Sequence, residues 1–127
     1  MKKDGAIVVL LNEKNETLVL LRPGDAKWSP HTWGFPGGRI EENETPEDAA
    51  IRETLEETQL EVHDLKVVSI KLKMPVYAYY TRDYTGTVVI DHEHEDWAWA
   101  SREVIETYPL APQVLELFEW VLKHERD

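Results

Sequence analysis

The sequence contains no cysteine, which removes disulfides, thiolate zinc sites and thiol nucleophiles from consideration. It is also short of positive charge: 14 Lys and Arg stand against 25 Asp and Glu, a formal net charge of −11. Gripping a nucleic-acid polymer or an anionic membrane needs the opposite balance, so neither partner is expected. A phosphorylated small molecule stays open, provided metal cations stand between the two anions. Long apolar runs are missing too. Ala6 to Leu11 is too short for a signal-peptide core and far too short for a bilayer span. Repeats, low-complexity stretches and linkers are also lacking. What remains is 127 residues, 42% hydrophobic and 31% charged. That fits one globular domain over residues 1–127, cytoplasmic, as a monomer or homodimer.

Periodicity and turn residues place the elements. Gly5 to Leu11 and Thr17 to Leu21 are apolar, branched runs, and the polar Asn12 to Glu16 between them predicts a hairpin. An irregular segment from Pro23-Gly24 ends at Phe35-Pro36-Gly37-Gly38. Thr45 before Pro46, Glu47 and Asp48 predicts a helix to about Thr58: a hydroxyl cap, proline first, acids on the positive end of the dipole. Strands are expected over 67–73, 76–82, 87–90 and 97–100, with a turn over 83–86. Pro112 should open a last helix with Val114, Leu117, Phe118, Val121 and Leu122 on one face. Strands on both sides of an internal helix imply an α+β fold, a mixed sheet covered on both faces.

Chemistry concentrates on the first helix. Glu53, Glu56 and Glu57 stand at i, i+3 and i+4, which puts three carboxylates on one helical face. None has Lys or Arg four residues on, and like charges at this spacing cost roughly 0.2–0.5 kcal/mol per pair. The cluster is either a solvated acidic face or a site for a hard divalent cation. Mg²⁺, or Mn²⁺ in its place, takes oxygen ligands and needs no full protein cage.

From Gly38 the chain reads G-x5-E-x7-R-E-x2-E-E through Glu44, Arg52, Glu53, Glu56 and Glu57, behind a Trp33-Gly34-Phe35-Pro36-Gly37-Gly38 lead-in. This resembles the signature of the Nudix hydrolase family, MutT-like, and nearly the whole chain suits the same plan. The resemblance implies the Nudix fold, an α/β/α sandwich. It implies Mg²⁺-dependent hydrolysis of the phosphoanhydride of a nucleoside diphosphate linked to another group, releasing a nucleotide. Nucleoside triphosphates, ADP-ribose and dinucleoside polyphosphates are the substrate types it suggests. A catalytically silent nucleotide-binding or regulatory module is the alternative. Two positions depart from the pattern: Thr54, where an apolar residue is usual, and Gln59, where glycine would take the left-handed turn ending the helix.

The resemblance also distributes roles. Glu53, Glu56, Glu57 and a carbonyl of Gly37 or Gly38 would hold metal, with Glu53 or Glu57 also a candidate base. Arg52 would orient Glu53 and nearby backbone, and Glu44 would support it. Arg22 and Arg39 flank the acidic site and suit phosphate oxyanions, or are surface ion pairs. Glu93, in the acidic run Asp91 to Asp96 and six residues before Trp99, stands where the family often completes the metal site or places a base. Its bland reading is a charged loop. A transition-metal site of His92, His94 and Asp96 competes but lacks ligands. Trp28 could stack on a base, and Trp33 should pack under the Gly-Gly turn. Tyr77 and Tyr79 share a strand face opposite Tyr80. Pro75 and Tyr77 stand where the family marks ADP-ribose-type and dinucleoside-polyphosphate substrates respectively, so these markers conflict or the enzyme is broad.

Overall fold

The computed structural model describes residues 3–125. In chain order the strands and helices are β1 (Gly5–Leu10), β2 (Thr17–Leu21), β3 (Trp33–Gly34), β4 (Gly37–Arg39) and α1 (Pro46–Thr58). Then come β5 (Glu61–His63), β6 (Lys66–Val67), β7 (Val76–Thr81), β8 (Asp83–Thr85), β9 (Asp96–Ala100), α2 (Arg102–Ile105) and α3 (Val114–His124). A mixed four-stranded sheet has the order β4-β1-β7-β6, with β1 and β7 parallel; an antiparallel sheet has the order β3-β2-β9. The strands β5 and β8 form a separate antiparallel pair. No helix among the described residues is long and apolar enough to cross a membrane.

Alternation along β1 builds two cores. Ala6, Val8 and Leu10 pack with Ala49 and Ala50 of α1. Val9 and, just beyond the strand, Leu11 pack with Leu117, Phe118 and Val121 of α3. The helices therefore cover opposite faces, the expected α+β sandwich. Each fully buried Val or Leu contributes about 1.5–3 kcal/mol of transfer free energy. Strand β1 is covered on both faces and paired on both edges, which explains its unbroken apolar run.

Several expected elements are different. The first two strands do not form a hairpin ladder: the Asn12–Glu16 turn is present, but the strands share one bridge, Leu11 with Thr17, and then enter different sheets. Strand β1 finds its partners in β4 and β7 instead, because both of its faces must be covered. The expected strand over 67–73 is only Lys66–Val67, followed by irregular chain. The expected turn over 83–86 is β8, paired with β5. The run over 87–90 is not a strand. Its backbone N–H groups go instead to carbonyls at the end of α1: Val89 to Thr58 at 2.9 Å, and Asp91 just beyond to Glu57 at 3.2 Å. Pro112 sits in a turn, and α3 begins at Val114.

Helix α1 follows its local signals. Thr45 accepts a hydrogen bond from the Asp48 N–H at 3.1 Å, and Pro46 is the first helical residue. Gln59 ends the helix in the left-handed conformation at φ 61°, its N–H on the Leu55 carbonyl. Glutamine there costs on the order of 1 kcal/mol against glycine. Thr54 is fully buried, and its hydroxyl has no partner among the described residues.

Candidate active site

The glycine turn and α1 are brought together by β1. Gly37 pairs with Ile7, and a Cβ on Gly37, at φ 153°, would be driven into the Ala6 carbonyl and the Ile7 Cα. Only glycine permits that approach. A Cβ on Gly38 would meet the Glu53 carboxylate. Thus β4 lies directly against the acidic face of α1.

The three helix glutamates occupy different environments. Glu57 points inward, is 7% exposed, and accepts the Gly37 N–H at 2.9 Å. Burial, with the charges of Glu53, Asp91 and Glu93 adding to it against that one hydrogen bond, pushes its carboxyl up to about 9. Glu53 is half-buried and also raised, chiefly by desolvation, with Arg52 pulling the other way. Glu56 is exposed.

Arg52 is the local counter-charge. Its Nη1 donates to Glu53 at 2.9 Å and to Glu56 at 3.2 Å, so the cluster has an i,i+4 cation on its N-terminal side. The acidic face is thus partly compensated, contrary to the reading of its C-terminal neighbours alone. Arg52 Nε and Nη2 donate to the two oxygens of Glu44 at 2.7 and 3.0 Å, and Nη2 also reaches the Arg39 carbonyl at 3.0 Å. The Arg52 side chain and the Glu41 N–H hold the Glu44 carboxyl down at about 2. Together these bonds fasten the start of the helix and the end of β4 to one guanidinium.

No three acidic or histidine side chains among the described residues converge as a ready-made cage. Mg²⁺ seldom uses one; it is commonly held by one or two carboxylates, waters and substrate phosphates. The donor set fits such an ion. A buried carboxylate with a single N–H partner and three acidic neighbours is short of positive charge, and a hard cation supplies it.

The glycine turn that meets Glu53 and Glu57 also lines a cavity of about 490 Å³. Gly37, Gly38 and Arg39 form one side, Arg22, Trp28 and His94 another, and Ile7, Phe35 and Val114 contribute apolar surface. Arg22 donates to the Trp28 carbonyl at 2.7 Å and lies 5.2 Å from the Trp28 ring centre, so the two form one cation–aromatic unit. Glu93 is exposed but near enough for its charge to raise Glu53 and Glu57.

Other residues are not brought here. Tyr77 is exposed on the α1 face, its ring 5.0 Å from Lys3 Nζ, and does not line the cavity although neighbouring Pro75 and Val76 do. Period two turns Tyr77 away when Val76 faces in. Trp33 lies against Tyr108, with ring centres 4.9 Å apart and planes tilted by 31°, and packs on the α3-side core rather than under the glycine turn. His92, His94 and Asp96 do not form a metal cluster: His94 is turned onto Asp91, with Nδ1 at 2.8 Å from Oδ1, and His92 is exposed. The pairing of Asp91 with His94 is what sequence reasoning missed, having weighed His94 only beside His92 and Asp96. Their Asp-x-x-His spacing in a turn before a strand was the available signal.

Residues 1–121 match the family model described as the NUDIX domain. The chain is 28% identical over 125 residues to CTP pyrophosphohydrolase of Escherichia coli strain K12, covering 94% of this chain and 91% of that protein. It is 45% identical over 58 residues to a putative 8-oxo-dGTP diphosphatase of Bacillus subtilis strain 168, covering 46% of this chain and 36% of that protein. The crystal structure of a MutT NUDIX hydrolase from Burkholderia pseudomallei superposes with a TM-score of 0.83 at 18% identity, covering 95% and 98% of the two chains.

Proposed function

We propose, from the premise that this chain belongs to the NUDIX family and is a Nudix hydrolase, that it hydrolyses the phosphoanhydride of a nucleoside diphosphate derivative in a Mg²⁺-dependent reaction. The observation that carries the reading is Glu57: a buried carboxylate with one N–H partner among the described residues, that of Gly37, which itself lines a cavity of about 490 Å³. Glu53, Glu56, Glu57 and a carbonyl of Gly37 or Gly38 would hold the cation, Mg²⁺ or Mn²⁺. When bound, it neutralises phosphate charge and lowers the pKa of attacking water.

The remaining roles belong to this chain's own side chains. Arg52, fixed by Glu44, holds Glu53 and Glu56 in place and keeps their charge balanced before substrate arrives. Glu93, on the loop facing the helix, accepts a proton from the attacking water or completes the metal site, with Glu53 the second candidate for the base. Arg39 and Arg22 meet phosphate oxygens at the cavity mouth. Trp28 offers a ring to the nucleobase, already flanked by the Arg22 guanidinium. The named relatives, a CTP pyrophosphohydrolase and a putative 8-oxo-dGTP diphosphatase, make nucleoside triphosphates the first substrates to try.

The test is phosphate or pyrophosphate release across nucleoside triphosphates, oxidised nucleotides, ADP-ribose and dinucleoside polyphosphates, with Mg²⁺ and with excess chelator. Turnover is expected with Mg²⁺ alone. Glu57→Gln should lower kcat by about a hundredfold or more, since loss of even an outer partner of a metal ligand costs 10- to 100-fold. Full activity of that variant, or of the unaltered chain in chelator, would sink the reading. Activity should rise toward alkaline pH, because metal ligands and base must be deprotonated.

A further inference from the structure

The loop between the end of α1 and β9 carries a side-chain pair that the proposed hydrolysis does not use. His94 Nδ1 lies 2.8 Å from Asp91 Oδ1, and the two side chains are 9% and 18% exposed. A carboxylate only accepts, so the imidazole donates through Nδ1 and its orientation is fixed. Nε2 makes no hydrogen bond to the protein among the described residues, yet His94 lines the cavity. A nearly buried imidazole with one nitrogen committed and the other open to a cavity is built to meet something in that cavity.

Its position says which part of a nucleotide that is. The Asp91 N–H donates to the Glu57 carbonyl at 3.2 Å, and the Asp91 charge acts on the Glu57 carboxyl. The pair is therefore anchored on the residue at the phosphate end. His94 itself stands with Arg22, Trp28 and Leu20 on the cavity wall. Between phosphates at Glu57 and a base in the apolar part of the cavity lies the sugar. Chemistry points the same way. A neutral Nε2 accepts and a protonated one donates; a hydroxyl can answer either, whereas an amino group can only donate and a carbonyl only accept.

We propose that His94, positioned by Asp91, hydrogen-bonds a sugar hydroxyl of the bound nucleotide and makes the enzyme discriminate against sugars that lack it. This rests on the nucleotide reading above. The contact is a specificity determinant rather than part of the chemical step, and it places nucleotides that carry that hydroxyl ahead of those that lack it at the same base.

The experiment is a thermodynamic cycle on binding. Cytidine 5′-monophosphate and its 2′-deoxy and 3′-deoxy forms are titrated by calorimetry, with Mg²⁺, into the unaltered chain, His94→Ala and His94→Gln. In the unaltered chain, loss of one of the two hydroxyls should weaken binding roughly three- to tenfold, as for one hydrogen bond. His94→Ala should weaken the ribonucleotide by a similar factor and lose no more when that hydroxyl is also removed. His94→Gln, which places an amide near the Nε2 position, should keep part of the discrimination. In ¹⁵N spectra of the unaltered chain, the His94 Nε2 resonance should move with the ribonucleotide and not with the deoxy form that binds weakly, a readout independent of whether variants fold. Equal hydroxyl penalties in the unaltered chain and in His94→Ala overturn the inference, as does no hydroxyl preference in the unaltered chain. If Mg²⁺-dependent hydrolysis is found but the cycle shows no coupling, the sugar contact alone fails. If the coupling is found without hydrolysis, the function proposal fails and the contact stands.

Discussion

The two faces of the central sheet do different work with neighbouring residues of the same strand. On the α3 side, Val9, Leu117, Phe118 and Val121 are buried among other apolar side chains. On the α1 side, Ala6, Val8 and Leu10 are equally buried, but the helix that covers them carries Glu57, Thr54 and Thr58 in the protected layer. The first face spends burial on stability. The second gives up stability to keep a desolvated carboxylate against the glycine turn and, in the same helix, a Thr54 hydroxyl without a partner among the described residues. That contrast teaches that the acidic motif is not a surface stripe laid on a finished fold. Its innermost carboxylate, Glu57, is set into the core of one face, where a charge is costly until a cation meets it.

The sharpest way to break the contrast is to injure each face separately. Phe118→Ala, on the α3 side, should cost about 3–5 kcal/mol in denaturant unfolding while leaving metal-dependent turnover of the folded fraction largely intact. A loss of turnover as large as that of Glu57→Gln would mean that the faces are not separable.

Glu57 should show the opposite behaviour. Burial raises its carboxyl from 4.5 to about 9, so the metal-free folded chain holds a proton that the unfolded chain has released. Its contribution is fully present below about pH 4.5 and is lost as pH rises toward 9. In chelator, Tm should therefore fall across that window, and Glu57→Gln should be more stable than the unaltered chain near pH 7.5, by on the order of 1–3 kcal/mol. Mg²⁺ should raise Tm of the unaltered chain, most strongly at high pH, and do little for the variant. A metal-free variant no more stable than the parent at any pH would show that the carboxylate is not strained.

Gln59→Gly should stabilise by about 1 kcal/mol, because glycine takes the left-handed cap without a Cβ penalty. Thermal unfolding in chelator measures it, and a destabilised variant would mean that the glutamine side chain contributes what its backbone costs. Smallest in stability is Glu44→Gln. Tm should fall only modestly, since the amide still offers Arg52 one oxygen, yet turnover should fall about tenfold as Arg52 loses its hold on Glu53 and Glu56. Unchanged turnover would leave Glu44 as a simple surface pair.

What could be read in advance follows from range. Helix α1 was legible from Thr45, Pro46 and the spacing of its glutamates, because caps and i,i+4 contacts act within a few residues. The glycine turn was legible because a backbone approaching that closely tolerates no side chain. Arg52 stands four residues before Glu56, a spacing visible in the sequence, but which of its acidic neighbours the guanidinium closes on is a matter of tertiary contact. Tyr77 was assigned by its sequence position relative to the motif; its face is set by the register of β7 on β1, where Val76 turns inward.

The sequence by itself determined the family pattern, the acidic composition, the helix that carries the glutamates and the glycines that lie against it. Those are local facts of spacing, capping and steric allowance. Tertiary structure alone decided that β1 and β2 part into different sheets, and that Asp91 reaches Glu57 through backbone bonds. It also decided that His94 turns onto Asp91 at the cavity wall. It decided too that Glu57 is buried deeply enough for desolvation to push its carboxyl up to about 9. The reason is physical: strand pairing is a competition among distant segments, and desolvation depends on which atoms arrive from elsewhere in the chain.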